Sequence, residues 1–567
     1  MKKIFSLFFS LVLILSLLPL QSSVANENDS DVDLWNAVKP LSTTVSFLNT
    51  GAHPDDERSD FLAYLSRGLG VQTSSLIANR GEGGQNEIGN ELGNGLGIIR
   101  SNEMIEAAKI NGVTAYHLSE TTSDPIYDFG FSKSPEETLE EWGEELTYER
   151  FIRFIRTYKP DIVMPSFRNV ESQHGHHRTL TILSERAFED AADPSVYPEH
   201  LEEGLDVWQI KKLYLPAESE ETATTSIEIG DYDPIYGMTY PQLGEESRYL
   251  HKSQGMGNDI PAEPRQTHLE LIQSSVDNEN DDLFSNIPYN LNEWAQLVPT
   301  SELSNQLEAL QQKLDTIIDL YPNRDDILPP SQDALKDVQE ALEMTRNTDM
   351  NKDVKNDLIH KLELKSEQLQ EVSFISSNLH VETTADSGIL TQGEETQVTM
   401  EITNNGNEKR NHIEASLITP EDWEHEESQN LNDLDPDQSE TFVFNVTVPE
   451  DEAYYEPYDD SVLQAQVSFE ESGTNTTKTF ELDDTIAVLP DLSVEANPDK
   501  LTINTADLQE EIPISANVKN YFNGEKDVEV SLNLPEGWTT ETEQEQVTLT
   551  ERLEEQEVTF NVSPHLI

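Results

Sequence analysis

A chain of 567 residues is longer than one hydrophobic core fills, so several domains are expected. With 36 basic against 109 acidic residues, a formal net charge of -73 disfavours binding to nucleic acid or anionic membranes. The absence of cysteine excludes thiolate metal sites and cysteine nucleophiles. The acids are spread along the whole chain, which points to a solvating, halophilic surface in a medium salty enough to screen self-repulsion.

The N-terminus carries Lys2 and Lys3, an apolar run over residues 4–18, Pro19 and the small residues Ser23-Val24-Ala25. This is the layout of a secretory signal peptide, so residues 1–25 are expected to be cleaved and the mature chain to be secreted. No other stretch approaches the length of a transmembrane segment.

Residues 44–50 are β-rich and mostly apolar, and Gly51 allows a tight exit. Phe61, Leu62, Tyr64 and Leu65 then fall at helical spacing. The string Ala52-His53-Pro54-Asp55-Asp56-Glu57 therefore occupies a turn between strand and helix. A second strand over residues 74–79 runs into Arg80-Gly81-Glu82-Gly83-Gly84, followed by a helix over 96–110 and a strand over 115–118. A further helical pattern over 149–158 ends at Lys159-Pro160, and Ile162-Val163-Met164 is the next strand. The loop after it carries His174-Gly175-His176-His177, ahead of a helix over 178–191. Alternating strands and helices predict an α/β, Rossmann-like domain with a mostly parallel sheet and helices on both faces. Ligands of such sheets gather outside the carboxyl ends of the strands.

Each polar cluster sets a ligand pair three positions apart, His53 with Asp56 and His174 with His177. Two imidazoles and one carboxylate suit a divalent metal such as zinc with one position left open. Asp55 remains as a spare carboxylate beside the ligands, which hydrolysis of an amide needs as a base. The competing reading of the first cluster is an N-capping turn, with Asp55 or Asp56 capping the helix; the second histidine cluster on a matching loop weighs against it. His117, His200 and His268 stand in no motif and read as surface or packing residues.

The AHPDDE string after the first strand, RGEGG after the second, Arg100-x-x-Glu103 on the next helix and the later H-x-x-H together resemble the LmbE/PIG-L-like zinc deacetylases. That family removes N-acetyl groups from glucosamine-containing sugars on a Rossmann-like sheet. The resemblance spans residues 42–260, including His251-Lys252-Ser253-Gln254. It implies one Zn2+ held by His53, Asp56 and His177, with Asp55 as general base and His174 as the oxyanion-stabilising or proton-donating histidine. It also turns Arg80, Glu82, His176 and His251 toward substrate. Without it, Arg80 and Glu82 read as a structural ion pair, and His251, in a helix expected over residues 247–254, as structural. One position departs, because the family commonly has Asp where His176 stands. A carboxylate there can orient or charge-balance a neighbouring histidine, and a neutral imidazole cannot do so in the same way. His176 reads as an outer or rim residue in preference to a fourth ligand.

Residues 220–300 lose the strand–helix rhythm and read as an excursion flanking the site, closing a deacetylase domain of residues 26–300. Leu303, Leu307, Leu310, Leu314 and Ile317 form one apolar stripe, a helix expected to stop before Pro322 and Pro329-Pro330. Two more helical patterns, over 331–344 and 352–372, complete a helical spacer of residues 301–375, a small bundle in preference to a coiled coil. From Asn378 the pattern alternates with period two and the chain repeats itself. The segment from Ile413 to Trp423 recurs from Val528 to Trp538, and the strand ending at Val446 recurs as the one ending at Val562. Tandem immunoglobulin-like β-sandwich modules over 376–490 and 491–567 are expected, resembling the NEW3-type modules of secreted glycosidases. Trp423 and Trp538 follow a Pro turn and read as packing residues in preference to sugar platforms. The second copy lacks a counterpart of residues 462–488 and reads as incomplete, from a truncated sequence in preference to a module that borrows a strand.

The expected function is a secreted zinc-dependent N-deacetylase acting on an N-acetylglucosamine-containing sugar or glycan, with the β-modules available for cell-wall or polysaccharide contact. The alternatives are a zinc amidase for a non-sugar amide and a non-catalytic glycan-binding or adhesion protein. No nucleic-acid partner is expected.

Overall fold

The computed structural model describes residues 27–277, 282–420, 422–459, 461–503 and 511–564. The expected signal peptide lies outside the described residues. Among them, no helix is long and apolar enough to cross a membrane.

The N-terminal domain is built on a seven-stranded sheet. Its first five strands are β1 (Ser46–Gly51), β2 (Gln72–Ile77), β3 (Thr114–His117), β4 (Ile162–Pro165) and β5 (Lys212–Pro216). They run parallel in the order β3-β2-β1-β4-β5. The central strands β1 and β4 are buried along their whole length, as parallel strands covered on both faces must be. Alternation along β1 sends Phe47 to one face, with Phe61, Ile162 and Tyr214. Leu48 goes to the other, with Leu76, Val163, Phe151 and Leu183. The connecting helices are α2 (Ser59–Ala63), α3 (Asn94–Asn111), α4 (Pro135–Trp142), α5 (Glu144–Tyr158) and α6 (Gly175–Asp190), after an N-terminal α1 (Glu27–Val38). The expected excursion over 220–300 in fact extends the sheet. Strands β6 (Thr225–Glu228) and β7 (Gln266–Ser274) add antiparallel in the order β5-β7-β6. Between them, α7 (Tyr240–Arg248) stops three residues short of His251, which therefore lies in a loop and not in the expected helix.

Helices α8 (Ser301–Asp319), α9 (Arg324–Asn347) and α10 (Lys352–Ser377) follow. The stripe Leu303, Leu307, Leu310, Leu314 and Ile317 is fully buried, sharing a core with Leu34, Val38 and Leu41 from the N-terminal segment. Pro329 and Pro330 lie inside α9 instead of ending a helix. They sit in its second turn, so the backbone bonds they forfeit are to carbonyls of the first turn only. The region is no loose spacer. Lys361 of α10 reaches the sheet and pairs with Asp161 just before β4 at 2.6 Å, both side chains almost wholly buried. Lys365 donates to the backbone carbonyls of Pro40 and Thr43.

The boundary drawn at residue 375 falls inside α10, and Leu328 and Phe374 belong to the core of the following β-module. That module sets the sheet of Leu379–Ala385, Glu395–Asn404, Ser439–Thr447 and Glu424–His425 against the sheet of Gln429–Leu434, Arg410–Ile418, Gln464–Glu471 and Thr474–Glu481, with one shared core. The second module has a four-stranded sheet and a strand pair over a much smaller core. Among the described residues it has no counterpart of the pair Gln464–Glu471 and Thr474–Glu481. The repeat is visible in a shared device. Buried Asn404 bonds the carbonyls of Glu408 and Leu434, and buried Asn520 bonds those of Gly524 and Glu551. Trp423 is buried in the first core and Trp538 packs half-buried on the second, which is the packing role expected of both.

Candidate active site

Gly51 ends β1 where any Cβ would strike Ile77 and the Cβ of Asp56 at under 3 Å, so the chain can fold back tightly there. The backbone amides of Ala52 and His53 then donate to Asp56 Oδ2 at 2.8 and 2.9 Å. This turn sets His53 and Asp56 side by side at the carboxyl edge of the sheet. From the loop after β4, the first turn of α6 brings His177 to the same point.

The three side chains converge. His53 Nδ1 lies 3.2 Å from His177 Nε2 and 3.4 Å from Asp56 Oδ2, and His177 Nε2 lies 3.3 Å from Asp56 Oδ1. Bonds of about 2.0–2.1 Å to a tetrahedral cation require ligand–ligand edges of about 3.3 Å, so this donor set fits a divalent metal. The ligand faces are fixed from behind. His177 stacks on Phe167 with ring centroids 4.1 Å apart, and its Nδ1 meets Gln173 Oε1 at 3.3 Å. Burial disfavours the charge on Asp56, but His177 and His53 outweigh it and hold its pKa well below the carboxylate range. Burial alone would lower the His53 pKa; the Asp56 carboxylate reverses that, and the net shift is upward.

Asp55 sits beside this set. Arg100 of α3 donates from Nη2 to Asp55 Oδ1 at 2.7 Å and from Nη1 to the Gly81 carbonyl at 3.1 Å. Burial and the adjacent Asp56 push the Asp55 carboxyl above its usual range, against the pull of Arg100. His174 is the N-cap of α6, its Nδ1 accepting the His176 amide, while the Ser132 amide faces its Nε2 at 3.1 Å. Burial and the neighbouring His53 and His177 lower its pKa. Phe131, 75% exposed, meets the His174 ring edge-on at 5.1 Å.

The four residues that the resemblance turns toward substrate are all buried. Arg80 is buried, bonded to the Ser119 carbonyl and Ser101 Oγ, with the Tyr458 ring of the first β-module stacked 3.6 Å from its guanidinium. Glu82 is also buried and is no partner of the Arg80 side chain; its carboxylate accepts from the backbone amides of Arg80 and Asp128, stitching two loops together. His251 is fully buried and bonds Glu57 at 3.0 Å, which anchors the end of the HPDDE turn and takes Glu57 away from the reactive centre. His176 is fully buried behind His53. The sequence reading gave Arg100 no role, although its motif was visible; nothing in the pattern around residues 127–134 marked Phe131.

Comparison with known proteins gives two family matches. Residues 48–188 match the PIG-L family, GlcNAc-PI de-N-acetylase, and residues 390–469 match the NPCBM-associated, NEW3 domain of alpha-galactosidase. The chain thus joins a PIG-L domain to a NEW3 domain. Among solved structures it is similar to N,N'-diacetylchitobiose deacetylase from Pyrococcus horikoshii, at 18% identity over 41% of this chain and 82% of that one, with a TM-score of 0.29. Spo0M, a sporulation control protein from Bacillus subtilis, aligns at 14% identity over 32% of this chain and 90% of its own, with a TM-score of 0.13.

Proposed function

We propose that this protein is a metal-dependent deacetylase that removes the N-acetyl group from an N-acetylglucosamine-containing sugar or glycan, and that it works outside the cell. The observation that carries the reading is the convergence of His53, Asp56 and His177 on one point, with Asp55 held beside them by Arg100. A divalent cation, with Zn2+ the best match to this donor set, supplies Lewis acidity toward an amide carbonyl and toward water when bound there. Asp55 takes the proton of the attacking water. Arg100 occupies only its Oδ1, leaving Oδ2 for that task, and the upward pKa shift strengthens it as a base. His174 stabilises the charge that develops on the acetyl oxygen or, in its protonated form, passes a proton to the departing amine. Phe131 offers an exposed apolar face next to His174 on which a sugar ring stacks. The match of residues 48–188 to the GlcNAc-PI de-N-acetylase family supports a GlcNAc-type substrate. The leader-like residues 1–25 support export.

The test is acetate release from N-acetylglucosamine oligomers against a panel of acetylated peptides, alongside metal analysis of the purified protein. Release from the oligomers only, with about one divalent ion per chain, is the expected result. Release from peptides only would replace the sugar with another amide, and no release from either would remove the enzyme reading.

A further inference from the structure

His53 belongs to two clusters at once. Its Nδ1 faces Asp56 and His177, and its Nε2 lies 3.1 Å from Nδ1 of His176, with His174 alongside. The two sets differ in what they offer a cation. The first contains a carboxylate and its side chains are partly open to solvent, at 13% for His53 and 16% for His177. The second contains three imidazoles and no anion. One of them, His176, is fully buried, and another, His174, has its Nδ1 engaged by a backbone amide. A dication is neutralised and reached by substrate in the first set and not in the second.

With the metal on Nδ1, the proton of neutral His53 must reside on Nε2, and that N–H needs an acceptor. Within hydrogen-bond reach, His176 Nδ1 is the atom it meets. We infer that His176 is a positioning residue whose Nδ1 accepts the His53 Nε2–H bond, locking the tautomer and ring angle that turn His53 Nδ1 toward the metal. The inference rests on the metal reading proposed above. It also accounts for an otherwise costly feature. If Nδ1 accepts, the proton of His176 sits on Nε2, which is buried and has no hydrogen-bond partner among the described residues. The ring is held there by Phe129, edge-on at 4.5 Å, and Trp142, tilted at 4.9 Å. An orphaned buried N–H is tolerated where the opposite nitrogen performs a task. His177 has the parallel arrangement, with Gln173 Oε1 as the acceptor behind it.

The experiment compares Zn2+ affinity of the full-length parent with His176→Asn, His176→Leu and His177→Ala, by competition against a chromophoric chelator at fixed pH and salt. Circular dichroism of the metal-free proteins establishes that each is folded. The Asn amide oxygen can take the place of Nδ1, whereas Leu fills the space without an acceptor. The expected order is near-parental binding for His176→Asn, binding weaker by about 10–100-fold for His176→Leu, and loss of binding for His177→Ala. Parental affinity in a folded His176→Leu would overturn the inference while leaving the metal site intact. Equal loss in His176→Asn and His176→Leu, with Zn2+ retained by His177→Ala, would overturn it by moving the metal to the three-imidazole set. A parent that binds no Zn2+ would sink the metal reading and this inference together. If His176→Leu does not fold, His176→Asn decides alone, because a loss of about tenfold or more despite the amide acceptor contradicts the assigned role.

Discussion

The buried pair between Lys361 and Asp161 joins two segments far apart in sequence, and replacing Lys361 with Met measures what the joint contributes. The ammonium lies 2.6 Å from Asp161 Oδ2 and 3.1 Å from Ser46 Oγ, with the two charged side chains only 1% and 2% exposed. Removing one partner of such a pair costs about 3–5 kcal/mol, because the other charge stays buried. Here Asp161 retains the Ser46 amide at 2.8 Å and hydroxyl at 3.0 Å, and the charge of Lys211, so the lower end, about 3 kcal/mol, is expected. The double variant Lys361→Met with Asp161→Asn removes both charges of this pair, leaves Lys211 paired with Asp357 at 2.8 Å, and should recover most of that loss. The sign of the pH dependence follows. Burial works against ionised Asp161, but Lys361 and Lys211 outweigh it and set its pKa below the usual range. Its stabilisation is therefore present above the unfolded value, near pH 4, and lost as pH falls below that. Without Lys361, burial dominates and protonation relieves the site, so the penalty of the variant should be full at pH 7 and shrink on acidification. Hydrogen exchange of peptides spanning β1 and β4, in molar sodium chloride, reads this domain separately from the β-modules. A penalty under about 1 kcal/mol at pH 7, or one that grows in acid, would refute the reasoning.

Asp55→Asn should keep its metal but lose turnover by at least about a hundredfold, with kcat and metal content measured on the same sample; near-normal turnover would mean that another group is the base, and Glu57, committed to His251, is not positioned to be that group. His177→Ala should lose both bound metal and activity while the exchange pattern of the β-modules stays parental, and full metal occupancy would remove His177 from the ligand set. Phe131→Ala should raise KM for N-acetylglucosamine oligomers about five- to tenfold with little change in kcat, matching a loss of about 1 kcal/mol of stacking; unchanged KM would take the sugar platform away. If the acidic surface is an adaptation to salt, Tm should rise substantially from low to molar sodium chloride, and a flat or falling curve would leave ordinary acidity as the account.

The parallel strands and both histidine loops were legible because each rests on local pattern. Apolar runs such as residues 44–50 mark a doubly covered strand, and the polar strings that follow them fall at one edge of the sheet by topology alone. The stripe of α8 was legible for the same reason. What escaped depends on contacts between segments distant in sequence. A glycine-rich loop carrying Arg80 and Glu82 looks like a substrate loop until Tyr458, more than three hundred residues later, is seen stacked on Arg80. His251 looks like a site residue until Glu57 is found facing it. The strand of residues 225–228 has only four residues and a long insertion separates it from that of 266–274, so no strand–helix rhythm announces that they extend the sheet. Pro329 and Pro330 misled because local propensity cannot see that a helix has already begun at Arg324.

The same long-range contacts tie the appended domains to the sheet. Helix α10 enters at the amino edge of the sheet through Lys361 and Lys365, opposite the edge that holds His53, Asp56 and His177. The first β-module grips that helix, with Lys478 on Glu371 at 2.7 Å and the Thr477 amide on Gln370, and sends residues 454–458 back to the catalytic edge. There Glu456 accepts from the amide and hydroxyl of Thr122, and Tyr458 covers Arg80 and lies where a side chain at Gly97 would be. Arg80 adjoins Gly81, whose carbonyl holds Arg100, and Arg100 holds Asp55. A module attached only to capture glycan would need no such connection. Hydrogen bonds, an ion pair, a ring stacked on a guanidinium and the peptide link from Arg80 to Gly81 together run from the module to Asp55. Through them the first β-module abuts the loop whose Gly81 carbonyl holds Arg100, and Arg100 in turn holds Asp55.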